Sequence, residues 1–212
     1  MKVEDIEGFV ANISVFSPVL PLAIAGILIA RKRLDKNMWP IVVMLVVSLF
    51  SDQFAKWLAK TYQNNMPASH LWGFLSALIS FWFFCLIMPK SKRLIMVLGI
   101  SFLVLYTINS TFNETIFTFN AQAKVVQGLC FIVMAFWYFF DVYRSEDIPA
   151  LEKNGIFWAV VAIFIYYSGA LFTQLLYTRI VSSMNGVWIV HNLFNITKNL
   201  LFGVALWTSR TH

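Results

Sequence analysis

The stretch that decides the fold is Trp188-Ile189-Val190-His191-Asn192-Leu193-Phe194-Asn195-Ile196-Thr197-Lys198-Asn199-Leu200-Leu201-Phe202. At 100° per residue His191, Asn192, Asn195, Lys198 and Asn199 fall within an arc of about 120°, and the rest of the turn is apolar or aromatic. A charged group near mid-bilayer costs on the order of 2.5–3.5 kcal/mol even on a lenient insertion scale, so this face cannot look at lipid. The stretch reads as a membrane helix with one side turned into a bundle.

The rest of the chain supplies the bundle. Of 212 residues 59% are hydrophobic and 12% charged, with mean hydropathy +0.73, whereas roughly a quarter of a soluble domain is charged. Apolar runs are expected to span at about 9–30, 39–59, 69–88, 94–110, 121–142, 156–178 and 187–207. The expected fold is therefore all-α, a single seven-transmembrane-helix domain over 1–212. Its connections are too short for a soluble catalytic, nucleotide-binding or DNA-binding domain. The net charge of +6 comes mostly from Lys and Arg at span ends, which excludes a nucleic-acid surface.

Loops 31–37, 89–93 and 143–155 with the C-terminal tail carry ten Lys or Arg, and the opposite side holds Lys2, Lys60 and Arg179. Short basic loops stay cytoplasmic, which puts the N-terminus outside and the C-terminus inside. Met1-Lys2-Val3-Glu4-Asp5 has the wrong charge for a signal-peptide start, so the first span is expected to be retained. Pro18 and Pro21 should kink it. Trp39, Trp57, Trp72, Trp158, Trp188 and Trp207 sit near span ends and read as headgroup anchors. Cys85 and Cys130, inside apolar runs, read as small buried hydrophobes.

Further polar groups accompany the last span. Asp52 and Lys56 stand four apart in the favourable order for a helical ion pair, with Gln53 beside them. Tyr166, Tyr167, Thr173, Gln174 and Tyr177 share one arc, and His70 opens the third span. Asn109, Glu114, Asn120, Gln122, Lys124 and Gln127 gather around the fourth-to-fifth connection. In the expected orientation nearly all of these lie in the outer half of the membrane. That asymmetry points to an outward polar pocket closed below by apolar packing, with Asp52, Lys56, His70, Tyr166, Tyr167, His191, Asn192, Asn195, Lys198 and Asn199 as candidate ligand-binding residues. The bland alternative is interhelical hydrogen-bond glue.

Sharper chemistries find less support. No HxxxH or HExxH spacing is present for a zinc hydrolase, no Gly-flanked serine for Ser-His-Asp catalysis, and the two span-end histidines are poorly matched to haem. No cofactor is assigned, and whether the chain catalyses a reaction stays open, with a non-catalytic role favoured.

Asn64-Asn65-Met66-Pro67-Ala68-Ser69-His70-Leu71-Trp72, Phe157-Trp158, Ile165-Tyr166-Tyr167-Ser168-Gly169 and above all the HNxxNxxKN run from His191 to Asn199 resemble a family of small seven-helix bacterial integral membrane proteins of uncharacterised activity. The resemblance implies the fold, an inner-membrane location and an interest in His70, His191, Asn195 and Lys198. That family usually has a glutamate a few residues after the third-span His, where this chain reads Gly73-Phe74-Leu75-Ser76.

The reading these features favour is a receptor-like module, holding a small ligand from the outer side and acting through a cytoplasmic signalling partner. The alternative is a transporter or channel component, expected to show a discontinuous helix near the midplane or polar residues through the inner half. A membrane-embedded enzyme ranks third.

Overall fold

A computed structural model of the chain describes residues 3–145, 150–180 and 187–210. The described residues form eight helices and three short 3₁₀ turns. Six stretches are long and apolar enough to cross a membrane: Asp5–Ala30, Lys36–Tyr62, Met66–Ile87, Pro89–Phe112, Ala121–Arg144 and Gly155–Leu175. This is the helix content of a multi-pass membrane protein. The last helix, Val187–Thr208, matches them in length at 22 residues but not in apolarity, because its polar stripe dilutes the apolar face.

The first stretch is two helices, α1 (Val3–Phe16) and α2 (Val19–Ala30), where a single kinked helix was expected. Pro18 and Pro21 carry no N–H, so the carbonyls of Ser14 and Ser17 lose their i+4 donors in one turn. The Ser14 carbonyl instead accepts from the Ser17 amide at 3.2 Å and the Ser17 hydroxyl at 2.6 Å, and α2 restarts with the Leu22 amide on the Pro18 carbonyl at 3.1 Å. The chain then turns back through Lys32 at φ 55°, with the Arg33 amide on the Leu28 carbonyl at 2.8 Å closing the helix end.

α3 (Trp39–Tyr62) stops at Gln63 in the left-handed region, and the Asn64 carboxamide accepts from the Met66 amide at 2.9 Å to start α4 (Met66–Ile87). α5 (Lys92–Phe112), α6 (Ala121–Arg144), α7 (Gly155–Ile180) and α8 (Val187–Thr208) follow. The Asn154 side chain accepts from the amides of Ile156 and Phe157 at 2.9 and 3.3 Å, capping α7.

The closest helix pairings are α7 with α8, α6 with α7 and α3 with α4; α1 and α2 lie against α8, and α5 lies against α4. Close approach of α7 and α8 needs a glycine, since the Phe194 ring occupies the place where a Cβ on Gly169 would sit. An aromatic core runs through the middle. Phe131 of α6 lies 5.0 Å from Phe81, 6.2 Å and stacked on Phe84, and 5.0 Å from Tyr167, with Phe83, Phe84, Phe131 and Phe202 fully buried.

Candidate functional site: a polar cavity among six helices

A cavity of about 510 Å³ opens at the end where α3 finishes and α4, α6 and α8 begin. Its walls come from six helices: Ser14 of α1, Ser48 and Asp52 of α3, Ser69 and Trp72 of α4, Lys124 of α6, Tyr166 of α7, and Trp188, His191, Asn192 and Asn195 of α8. Phe119, from the segment before α6, adds a further aromatic wall.

Within the cavity the polar groups divide into those already satisfied and those left over. Lys198 is buried below it, with its ammonium donating to Asn195 Oδ1 at 2.7 Å and lying 4.3 Å from the Tyr166 ring centre and 5.7 Å from that of Trp72. The Asn195 amide in turn donates to the Ser14 hydroxyl at 2.9 Å. One turn deeper, Asn199 donates to the Ser17 hydroxyl at 2.6 Å. The polar stripe of α8 is thus keyed to the break between α1 and α2, where serines stand in for the lost helix bonds. Lys124 donates to the Ser69 hydroxyl at 2.6 Å and lies 4.5 Å from the Phe119 ring centre. By contrast Asp52, His191 and Asn192 have no side-chain hydrogen-bond partner among the described residues. His191 is held only by ring contacts, 6.0 Å from Tyr166 and 5.8 Å from Trp188.

Of the ten residues expected to bind a ligand, Asp52, Tyr166, His191, Asn192 and Asn195 line the cavity, and Lys198 sits under it. Four lie elsewhere. Lys56 is exposed and stands over the Phe16 ring at 5.7 Å; it forms no ion pair with Asp52, although the two remain in electrostatic range. It lies one turn nearer the helix end, where α3 leaves the bundle and water or headgroups can solvate the ammonium. His70 is buried outside the cavity, with Nδ1 3.0 Å from the Ser110 hydroxyl and Nε2 donating to the Thr118 carbonyl at 2.9 Å, so that Nδ1 accepts. Its own carbonyl accepts from the Tyr106 hydroxyl at 2.9 Å, which is bonded to the Asn120 amide at 2.5 Å. His70 therefore pins the 113–120 segment to α4 and α5. Tyr167 belongs to a buried node in which Gln127 Nε2 reaches the Tyr167 hydroxyl at 3.1 Å, Ser76 Oγ at 3.0 Å and the Gly73 carbonyl at 3.3 Å. Asn199 is fully buried at the helix break. Tyr177 and Arg179 lie outside the residues whose side chains are described.

The cavity also uses residues not put forward for it. Lys124 lines it; Asn120, Lys124 and Gln127 follow i, i+4, i+7 spacing from the residue before α6 onward, a signal that was legible, although Asn120 and Gln127 lie outside the cavity. Trp72 and Trp188, read as headgroup anchors, also line the cavity. Glu114 is structural: it accepts from the Asn109 amide at 2.7 Å and the Gln122 backbone amide at 2.9 Å, which closes the start of α6. The chain matches no protein-family model, no curated protein and no solved structure.

Proposed function

We propose that this chain is a seven-span protein of a bacterial inner membrane, N-terminus outside and C-terminus in the cytoplasm, that binds a small ligand in the polar cavity from the outer side. The observation that carries this reading is the set of three cavity-lining side chains, Asp52, His191 and Asn192, that take no side-chain hydrogen bond among the described residues, beside Asn195 and Lys124, which do. Polar groups in a bilayer are expensive to leave unpaired; Ser80 Oγ, Gln174 Oε1 and Asn199 Oδ1 are also buried without a hydrogen bond, but Asp52, His191 and Asn192 line a cavity in which a small ligand can supply the partner. The basic connections 31–37 and 89–93 lie at the opposite end and support both the orientation and docking of an acidic cytoplasmic partner. With no effector domain between its helices, a receptor-like module of this kind signals through such a partner.

One observation favours transport as a second reading. The break between α1 and α2 lies opposite Asn195 and Asn199, near the middle of the helix, and discontinuous helices at mid-membrane are a recurring feature of transporter binding sites. The two readings part on whether the ligand crosses.

Native mass spectrometry of the gently purified full chain tests the binding reading. The expected result is a small molecule that co-purifies with the wild type and is lost from Asn192→Leu. A wild type without any bound species, or one whose bound species survives in Asn192→Leu unchanged, would count against it. Uptake of that molecule into sealed proteoliposomes containing only this protein would favour transport over signalling.

A further inference from the structure

The charges of the cavity are arranged in an uncommon way. Asp52 on α3 and Lys124 on α6 line the same space, with opposite charge, yet neither is the other's partner. Lys124 donates to a neutral hydroxyl beside the Phe119 ring with Glu114 in electrostatic range, Lys198 below donates to a neutral carboxamide beside two rings with Asp52 in electrostatic range, and Asp52 takes no hydrogen bond among the described residues. Burying opposite charges close together is tolerable when they pair; burying them in one cavity and holding them apart is tolerable when something else completes them.

Their separation has a direction. Asp52 is ten residues before the end of α3 and Lys124 three residues after the start of α6, and both ends lie at the mouth. At 1.5 Å per residue their Cα atoms differ in depth by about 10 Å. Between them run the rings of Trp72, Trp188 and Tyr166, with the Lys198 ammonium 4.3 Å from the Tyr166 ring centre and 5.7 Å from that of Trp72.

Resting on the reading that this cavity binds a small ligand, we propose that the ligand is an elongated zwitterion, its cationic end on Asp52 and its anionic end on Lys124, with an apolar chain along the aromatic walls. His191 and Asn192, at the level between the two, offer hydrogen bonds to the anionic end. An α-amino acid, whose charges sit on one carbon, reaches only one of the two groups. An ω-amino acid reaches both.

The test uses the full chain in lipid nanodiscs, with binding followed by the fluorescence of the cavity tryptophans and by calorimetry. The probes are 6-aminohexanoate, glycine, hexanoate and hexylamine. The expected result is that 6-aminohexanoate binds at least about tenfold more tightly than each of the other three. Asp52→Asn should reduce it to the affinity of hexanoate, Lys124→Gln to that of hexylamine, and Asp52→Glu should restore part of the loss. Equal binding of hexanoate would make the cavity an anion site, equal binding of hexylamine a cation site, and equal binding of glycine would remove the length argument; each overturns the proposal. If no probe binds while a cysteine at 192 is labelled from the outer face, the zwitterion assignment fails and the open cavity stands. If no probe binds and no label enters, the cavity reading itself fails.

Discussion

Replacing Lys198 with Met separates a lysine kept for the cavity's chemistry from one kept for the fold. The side chain makes one charge-assisted bond, at 2.7 Å to Asn195, and two ring contacts, at 4.3 and 5.7 Å. The bond contributes about 1.5–3 kcal/mol and the ring contacts together about 1–2 kcal/mol. Against this stands the desolvation of an ammonium that has Asp52 in electrostatic range but makes no ion-pair contact, several kcal/mol even after relaxation, which methionine avoids while filling the same length. The opposing contributions are of the same size, so the net change should lie within about 1 kcal/mol in either direction. For a chain of this length that is a shift in Tm of up to about 4 °C. Lys198→Ala removes the packing as well and should lose a further 2–3 kcal/mol or so. Thermal melts in detergent, followed by tryptophan fluorescence, measure both. A fall of more than about 10 °C for Lys198→Met would refute the reasoning, because it would mean that the charge itself anchors α8.

Phe131→Ala should cost about 3–5 kcal/mol, since Phe131 is fully buried between Phe81, Phe84 and Tyr167, and the melt should drop by roughly 10 °C or more. His70→Leu should release the 113–120 segment, seen as faster cleavage by a protease added at that face, while ligand affinity changes less than on His191→Leu. Asp52→Asn and Lys56→Met should be additive within about 0.5 kcal/mol in a double-mutant cycle, as the two side chains do not pair. Gly169→Leu should separate α7 from α8 by displacing the Phe194 ring, and the protein should fail to reach a monodisperse folded state on size exclusion.

The spans were legible because an apolar run of about 20 residues has few alternatives in water or lipid. The polar arc of α8 was legible for the same reason, from spacing alone. Depth along that arc was less so: Asn195 and Asn199 share a face, yet Asn195 meets the cavity while Asn199 meets Ser17 at the break of the first helix. The two prolines announce a disturbance, but whether it is a kink or two helices depends on Ser17 supplying a substitute donor to the Ser14 carbonyl. His70 was out of reach, because its partners, Ser110 in α5 and Thr118 in the segment after it, lie 40 to 48 residues further on. Lys56 follows the spacing of a helical ion pair but sits one turn closer to the helix end, and solvation there outweighs a surface pair of well under 1 kcal/mol.

The central claim is that the cavity opens to the outer face and ends on the α8 stripe. In a chain with Cys85 and Cys130 replaced by Ala, single cysteines at 192 and 199 are exposed to a membrane-impermeant thiol reagent on intact spheroplasts. The account predicts rapid labelling at Asn192→Cys, which lines the cavity, and none at Asn199→Cys, which is fully buried beneath it. Labelling at 192 only after the membranes are opened to expose the cytoplasmic side would contradict it.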